Sequence, residues 1–161
     1  MAEVTLSLGS NIERHHNIRA GLAALRDHFG DVELSPIYES EAVGFDGEPF
    51  LNLVARIETD LSVGELSERL RAIEAEHGRV RGEAKYASRT LDIDILTYDD
   101  RVGVIDGVEL PRGEILKHAF VLKPLADLVP EGVHPTEGRT FRELLAERDF
   151  TGQGLWRVEL E

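Results

Sequence analysis

The chain has 161 residues, enough for one domain with a core of its own but short for two, and 42% of them are hydrophobic, ordinary for a globular protein. Its formal net charge of -13 works against nonspecific binding to nucleic acid or an anionic membrane, and the lack of cysteine excludes disulfides, thiol catalysis and Cys-ligated zinc. No apolar run reaches membrane-spanning length, and "MAEVTLSLGSN" lacks the pattern of a secretory signal, so a cytoplasmic location is expected.

Val4 to Leu8 alternates apolar and polar residues as a first strand does, with Gly9 as its stop. Ser10 with Glu13 then reads as a capping box. Ile18, Leu22, Leu25 and Phe29 form the helical stripe behind it, and Gly30 closes the helix. Val32 to Tyr38 predicts a second strand, with Pro36 pointing to a sheet edge. "ESEAVGFDGEP" is polar and glycine-containing, a loop, and Phe50 to Thr59 is a third strand. Ser62 and Glu65 make another capping box, ahead of the stripe Leu66, Leu70, Ile73, and Gly78 ends that helix. A basic loop, "RVRGEAKYASR", leads into a fourth strand from Asp92 to Tyr98.

Strand, helix, strand, strand, helix, strand is the split βαβ order, so the expectation is one α+β domain over residues 1–161 with a ferredoxin-like βαββαβ sandwich. A hairpin follows, with a strand from Val102 to Ile105 and a turn at Asp106-Gly107. Pro111 to Lys117 reads as a loop or short helix. Phe120 to Leu128 is an apolar run, and a last helix begins at Thr140, capped with Glu143. The tail from Thr151 has no clear pattern.

The chemistry concentrates in the fourth strand. Asp92 and Asp94 alternate with Leu91, Ile93 and Ile95, so both carboxylates face one side of the sheet. Like charges at that spacing repel, and a hard divalent cation such as Mg²⁺ cancels the repulsion. The competing reading is a solvated sheet face whose aspartates pair with arginines, and for a bare D-x-D, a very short motif, that reading is much the stronger. Arg79, Arg81, Lys85 and Arg89 fall within eleven residues on the preceding loop. Guanidinium groups beside such carboxylates suit a polyphosphate, but they are equally what ordinary surface pairing with this chain's many acids would use. There is no G-x-x-x-x-G-K-[ST] and no G-x-S-x-G, and the six histidines lack metal-ligand spacing.

"KYASRTLDIDIL", Lys85 to Leu96, resembles the signature of the hydroxymethyl-dihydropterin pyrophosphokinases of folate biosynthesis at every position. "LGSN" (Leu8 to Asn11), "FLN" (Phe50 to Asn52), "GRVR" (Gly78 to Arg81) and "FVLKPLADLVP" (Phe120 to Pro130) extend the likeness over nearly the whole chain except the tail. The resemblance implies a ferredoxin-like fold and transfer of pyrophosphate from MgATP to the hydroxymethyl oxygen of the dihydropterin, with AMP leaving. It implies small-molecule substrates only, and a monomer. By the same likeness Asp92 and Asp94 bind two Mg²⁺ ions, with Asp94 also helping to take the hydroxyl proton. Arg79 and Arg89 neutralise charge on the phosphates, and Arg81, Glu74, Ile95 and Arg112 line the nucleotide. Phe50 and Phe120 clamp the pterin, which Asn52, Ser40 and Val43 also contact.

The chain departs from the family pattern around the ligands. Arg112 stands where a His is common, Gly113 where an aromatic is, and His118 where an Arg is. Ser40-Glu41-Ala42 replaces Thr-Pro-Pro, and Tyr86 replaces a Trp. Two rival readings stay open: a paralogue acting on a related small alcohol, and a non-catalytic small-molecule-binding domain. The intact Asp92, Asp94, Arg79 and Arg89 speak against the second.

Overall fold

The computed structural model describes residues 1–41, 47–78 and 90–161. Its main sheet is built from β1 (Ala2–Ser10), β2 (Glu33–Leu34), β3 (Ile37–Ser40), β4 (Phe50–Thr59), β5 (Asp92–Tyr98) and a C-terminal β8 (Leu155–Val158), with neighbours in the order β5-β1-β4-β3-β8 and β2 also on β4. Neighbouring strands are antiparallel. With β2 and β3 taken as one broken strand, the order is that of a ferredoxin-like sheet, as the sequence predicts. The hairpin of β6 (Gly103–Ile105) and β7 (Val108–Leu110) forms a separate ribbon. Asp106 and Gly107 at its tip both have positive φ, 52° and 80°, the twist a two-residue hairpin turn requires.

Helices α1 (Arg14–Phe29) and α2 (Val63–Glu76) cover one face of the sheet. Leu6 and Leu8 of β1, Leu51, Leu53 and Ile57 of β4, and Ile93 and Ile95 of β5 meet Ile18, Leu22, Leu25, Leu66, Leu70 and Ile73 there in the main core. On the other face, α3 (Ala119–Leu128) and α4 (Phe141–Glu147) form a smaller core with Val54, Leu96 and Ile115. The two cores alternate along single strands because successive side chains point to opposite faces. Leu96 sits at a register shift, where β1 passes from pairing Leu6 with Ile95 to pairing Thr5 with Thr97.

Three expectations are corrected. Gly9 does not stop β1; pairing continues to Ser10 opposite Leu51. Ser10, fully buried in the sheet, is therefore too early to cap α1. Glu13 holds that position in the left-handed region, with no side-chain cap, while Asn17 Nδ2 donates to the Ile12 carbonyl at 2.6 Å. The second strand breaks at Ser35-Pro36, where the Ser35 hydroxyl accepts from the Val54 N–H at 2.8 Å. The unpatterned tail supplies β8, which pairs outside β3 over Ile37–Ser40 and stops short of Pro36. The capping boxes at Ser62/Glu65 and Thr140/Glu143 are both formed. Among the described residues no helix is long and apolar enough to cross a membrane.

Candidate active site

Directly paired residues of an antiparallel sheet share a face. Tyr38 pairs with Asn52, Asn52 with Gly9, and Gly9 with Asp92, so one row crosses four strands. One step inward, Val54, Ser7 and Asp94 form the next row of the same face. Val54 is covered by α3 and α4. Beyond it the face carries Asn52, a bare glycine and two carboxylates. Gly9 leaves space there: a Cβ would stand in ordinary contact, 3.6 Å from Asn52 Oδ1 and 3.7 Å from the Phe50 ring, and a longer side chain would fill the room between them. The glycine opens a gap between an amide on one side and the carboxylates on the other, about 10 Å apart at two strand spacings.

Asn52 is buried, and its Nδ2 donates to Ser40 Oγ at 2.7 Å, with longer contacts to the Tyr38 and Phe50 carbonyls at 3.3 and 3.4 Å. Those two carbonyl acceptors fix the amide's orientation and direct Oδ1 toward Gly9. Phe50 begins β4 beside this gap. Phe120, in the first turn of α3, packs on the smaller core and stacks on His118, with ring centroids 4.7 Å apart. Upstream, Asn11 Nδ2 donates to the Glu48 carbonyl at 3.0 Å. Arg14 joins Glu39 at 3.2 Å to the Pro49 carbonyl, also 3.2 Å away, tying the end of β3 to the start of β4.

Asp94 is mostly buried and has a guanidinium beside each oxygen: Arg71 Nη2 is 3.6 Å from Oδ1 and Arg112 Nη2 is 3.7 Å from Oδ2. Burial above all, then the like charge of Asp92, pushes the Asp94 carboxyl up to about 7, against the opposing pull of Arg112 and Arg71. The raised value measures how poorly this position tolerates a bare anion. Two carboxylates on one face are an oxygen donor set that fits a hard divalent cation. Among the described residues no three His, Cys, Asp or Glu side chains gather into a metal cage. The fit is therefore to an ion that takes the rest of its shell from water and substrate oxygens, as Mg²⁺ does.

Glu74 lies in the last turn of α2, almost fully buried. Its Oε2 accepts from the Ile93 N–H at 2.8 Å, and its Oε1 meets Arg71 Nη1 at 2.5 Å. Burial raises its carboxyl above the usual range, while the Ile93 N–H and Arg71 pull the other way. Glu74 thus pins the residue between the two aspartates. It supports the site from beneath. The Ile95 side chain lies in the main core, on the face away from Asp92 and Asp94.

Arg112 follows the cis Leu110-Pro111 bond, takes its backbone bond from N–H to the Leu96 carbonyl at 2.9 Å, and pairs with Glu114 at 3.0 Å. Among the described residues its Nε is buried without a hydrogen-bond partner, a donor that a bound anion could satisfy. Arg71 escaped the sequence reading. Its one signal is the spacing of three to Glu74, which places both on one helix face. Val43, Arg79, Arg81 and Arg89 lie outside the described residues.

Comparison with known proteins follows the same lines. The family model for 7,8-dihydro-6-hydroxymethylpterin-pyrophosphokinase (HPPK) matches residues 5–130. A 2-amino-4-hydroxy-6-hydroxymethyldihydropteridine pyrophosphokinase of Pseudomonas aeruginosa is 39% identical over 153 residues, covering 92% of this chain and 93% of the relative. The protein of that name from Aquifex aeolicus is 34% identical over 149 residues, covering 91% and 92%. Among solved structures, the wild-type HPPK-DHPS of Plasmodium falciparum with SDX-DHP matches with a TM-score of 0.71 at 14% identity, over 91% of this chain and 43% of that one. This last match speaks for the fold alone, and the chain spans less than half of that bifunctional protein.

Proposed function

Because the chain belongs to the 7,8-dihydro-6-hydroxymethylpterin-pyrophosphokinase family, we propose a division of labour among its residues for that family's reaction. The enzyme transfers pyrophosphate from ATP to the hydroxymethyl group of 6-hydroxymethyl-7,8-dihydropterin, in folate biosynthesis. The hydroxymethyl oxygen forms a bond to the β-phosphorus, the bond from that phosphorus to the bridging oxygen breaks, and AMP leaves. Such transfer depends on alignment and charge neutralisation more than on covalent help from the protein.

The observation that carries the assignment is the row Asn52–Gly9–Asp92. The pterin lies over Gly9. Its guanidine-like edge donates to Asn52 Oδ1, with Phe50 and Phe120 against its faces and Ser40 holding the amide in place. This points its hydroxymethyl group toward Asp92 and Asp94. Those carboxylates hold Mg²⁺, two ions by family likeness, which neutralises phosphate charge when bound. Asp94, the more deeply set, is placed to receive the hydroxyl proton. Arg112 supplies a cation for the phosphates, and Arg79, Arg81 and Arg89 add theirs from the residues that precede β5 in sequence. Val43 belongs to the pterin side. The protein works as a cytoplasmic monomer.

The test is AMP release from MgATP with 6-hydroxymethyl-dihydropterin, with mass detection of the pterin diphosphate. Metal-dependent product is expected from the wild type, and none from Asp92→Ala/Asp94→Ala. Folded wild-type protein that makes no product would remove this reading.

A further inference from the structure

Resting on that reading, we propose that Arg71 is an exchangeable cation, paired with Asp94 until nucleotide phosphates draw it away, so that the metal carboxylates open to their ion as the nucleotide arrives. Nothing in the sequence patterns or the comparisons gives Arg71 a role. Three features of its geometry do.

The first is where it is anchored. Arg71 Nη1 is held by buried Glu74 at 2.5 Å, whereas its Nη2 stands 3.6 Å from Asp94, too far for a hydrogen bond. Arg112 repeats the arrangement from the other side, held by Glu114 at 3.0 Å and 3.7 Å from Asp94. Both guanidiniums are thus positioned by other carboxylates and touch Asp94 only through charge. Breaking the Asp94 contact sacrifices no hydrogen bond.

The second is access. The Arg71 side chain is 48% exposed, while Glu74 beneath it is 2% exposed. One end of the guanidinium is fixed, while about half of the side chain is open to the solvent from which an anion would come.

The third is the charge balance. A free divalent cation approaching Asp94 must displace or withstand two positive groups within 4 Å of it. A cation arriving on a polyphosphate meets no such opposition. The phosphate oxygens accept from the guanidiniums, bidentately where geometry allows, while the ion takes the carboxylates. The coupling is reciprocal: what weakens binding of the lone ion strengthens binding of the ion with its nucleotide.

The consequence is a pair of effects with opposite signs. In Arg71→Met, Mn²⁺ alone, followed by the resonance of the free ion, is expected to bind about 3- to 10-fold tighter, since one competing charge is gone. Mg²⁺ with α,β-methylene-ATP, followed by calorimetry, is expected to bind about 10-fold weaker. Arg71→Lys keeps the charge but not the fork, so it should leave Mn²⁺ binding near wild type and recover part of the nucleotide affinity. If Arg71 only props up Glu74, Arg71→Met loosens β5 and weakens both ligands together, which overturns the proposal. Unchanged binding of both also overturns it. Wild-type protein that fails to bind the magnesium–analogue complex would instead bring down the pyrophosphokinase reading, and the Arg71 proposal with it.

Discussion

The two faces of the β1–β4–β5 sheet are made from the same strands and differ in everything that follows from alternation. On the α1/α2 side, Leu8, Leu53 and Ile93 stand side by side in one row and are buried to 1% exposure or less. One residue along, on the opposite side, stand Asn52, Gly9 and Asp92. The first row gains from burying apolar area, so tolerance there is set by volume. The second row carries an amide and a carboxylate with a bare glycine between them. A strand can therefore be rigid because of one face and reactive on the other. Rigid elements hold functional groups more closely to a required geometry than loops do.

The comparison breaks first at its most charged point. Asp94→Ala should lower kcat by at least about 1,000-fold, roughly 4 kcal/mol of transition-state stabilisation. Its melting temperature should stay level or rise, since a buried carboxyl beside Asp92 is lost and no core contact with it. A melt lowered by more than a few degrees would put Asp94 on the structural side of the sheet. Leu8→Ala should do the reverse, costing about 3 kcal/mol of stability at a fully buried site while leaving both KM values within about twofold at temperatures where the variant is folded.

Glu74→Ala tests the one group that serves both faces. It leaves the Ile93 N–H without its carboxylate and frees Arg71, so stability should fall by about 2–3 kcal/mol. Activity should fall as well, because Asp92 and Asp94 flank the unpinned residue. A variant that loses stability but keeps full kcat would separate the strand's anchoring from its chemistry. Gly9→Val is subtler. The added methyls enter the gap beside Asn52 and Phe50, where even a Cβ is in van der Waals contact. The expected result is about a 10-fold higher KM for the pterin, with magnesium–nucleotide binding unchanged. Equal loss of both ligands would mean that the gap is not the pterin's.

Much of this division was legible in the residues. The stripes Ile18-Leu22-Leu25 and Leu66-Leu70-Ile73, and the alternation around Asp92 and Asp94, come from local periodicity and therefore survive in sequence. Gly9 was legible as a glycine but misread as a stop, since only the register reveals that it stands inside the strand between Asn52 and Asp92. β8 was illegible because pairing with β3 at the edge asks for backbone hydrogen bonds and little burial; Trp156 remains 52% exposed. Arg71 looked like any helix-surface arginine beside Arg69. Its importance depends on where α2 passes the edge of β5, and no local pattern encodes that crossing.

The smallest effect concerns what covers the reactive face. His134 is buried and sets its ring edge-on to Phe141 of α4. Its Nδ1 accepts from the Thr136 and Glu137 N–H groups at 3.3 and 3.2 Å, so the ring is neutral with its proton on Nε2. Burial first, and Arg148 in addition, lowers its pKa below the ordinary value of 6.5, with Glu137 opposing. For a group whose pKa is depressed by folding, the stability it contributes is fully present above 6.5 and is lost as pH falls through the lower folded value. Acid should therefore loosen the α4 layer while the α1/α2 layer holds. In hydrogen exchange, protection of Phe141–Glu147 relative to Arg14–Phe29 should drop between pH 7.5 and pH 5. His134→Asn keeps a side-chain acceptor for the two N–H groups but cannot be protonated in this range, so its protection ratio should be flat across the same interval. A wild-type ratio as flat as the variant's would show that the two layers answer acid alike, and that the difference between the faces ends at the strands and does not extend to the helices above them.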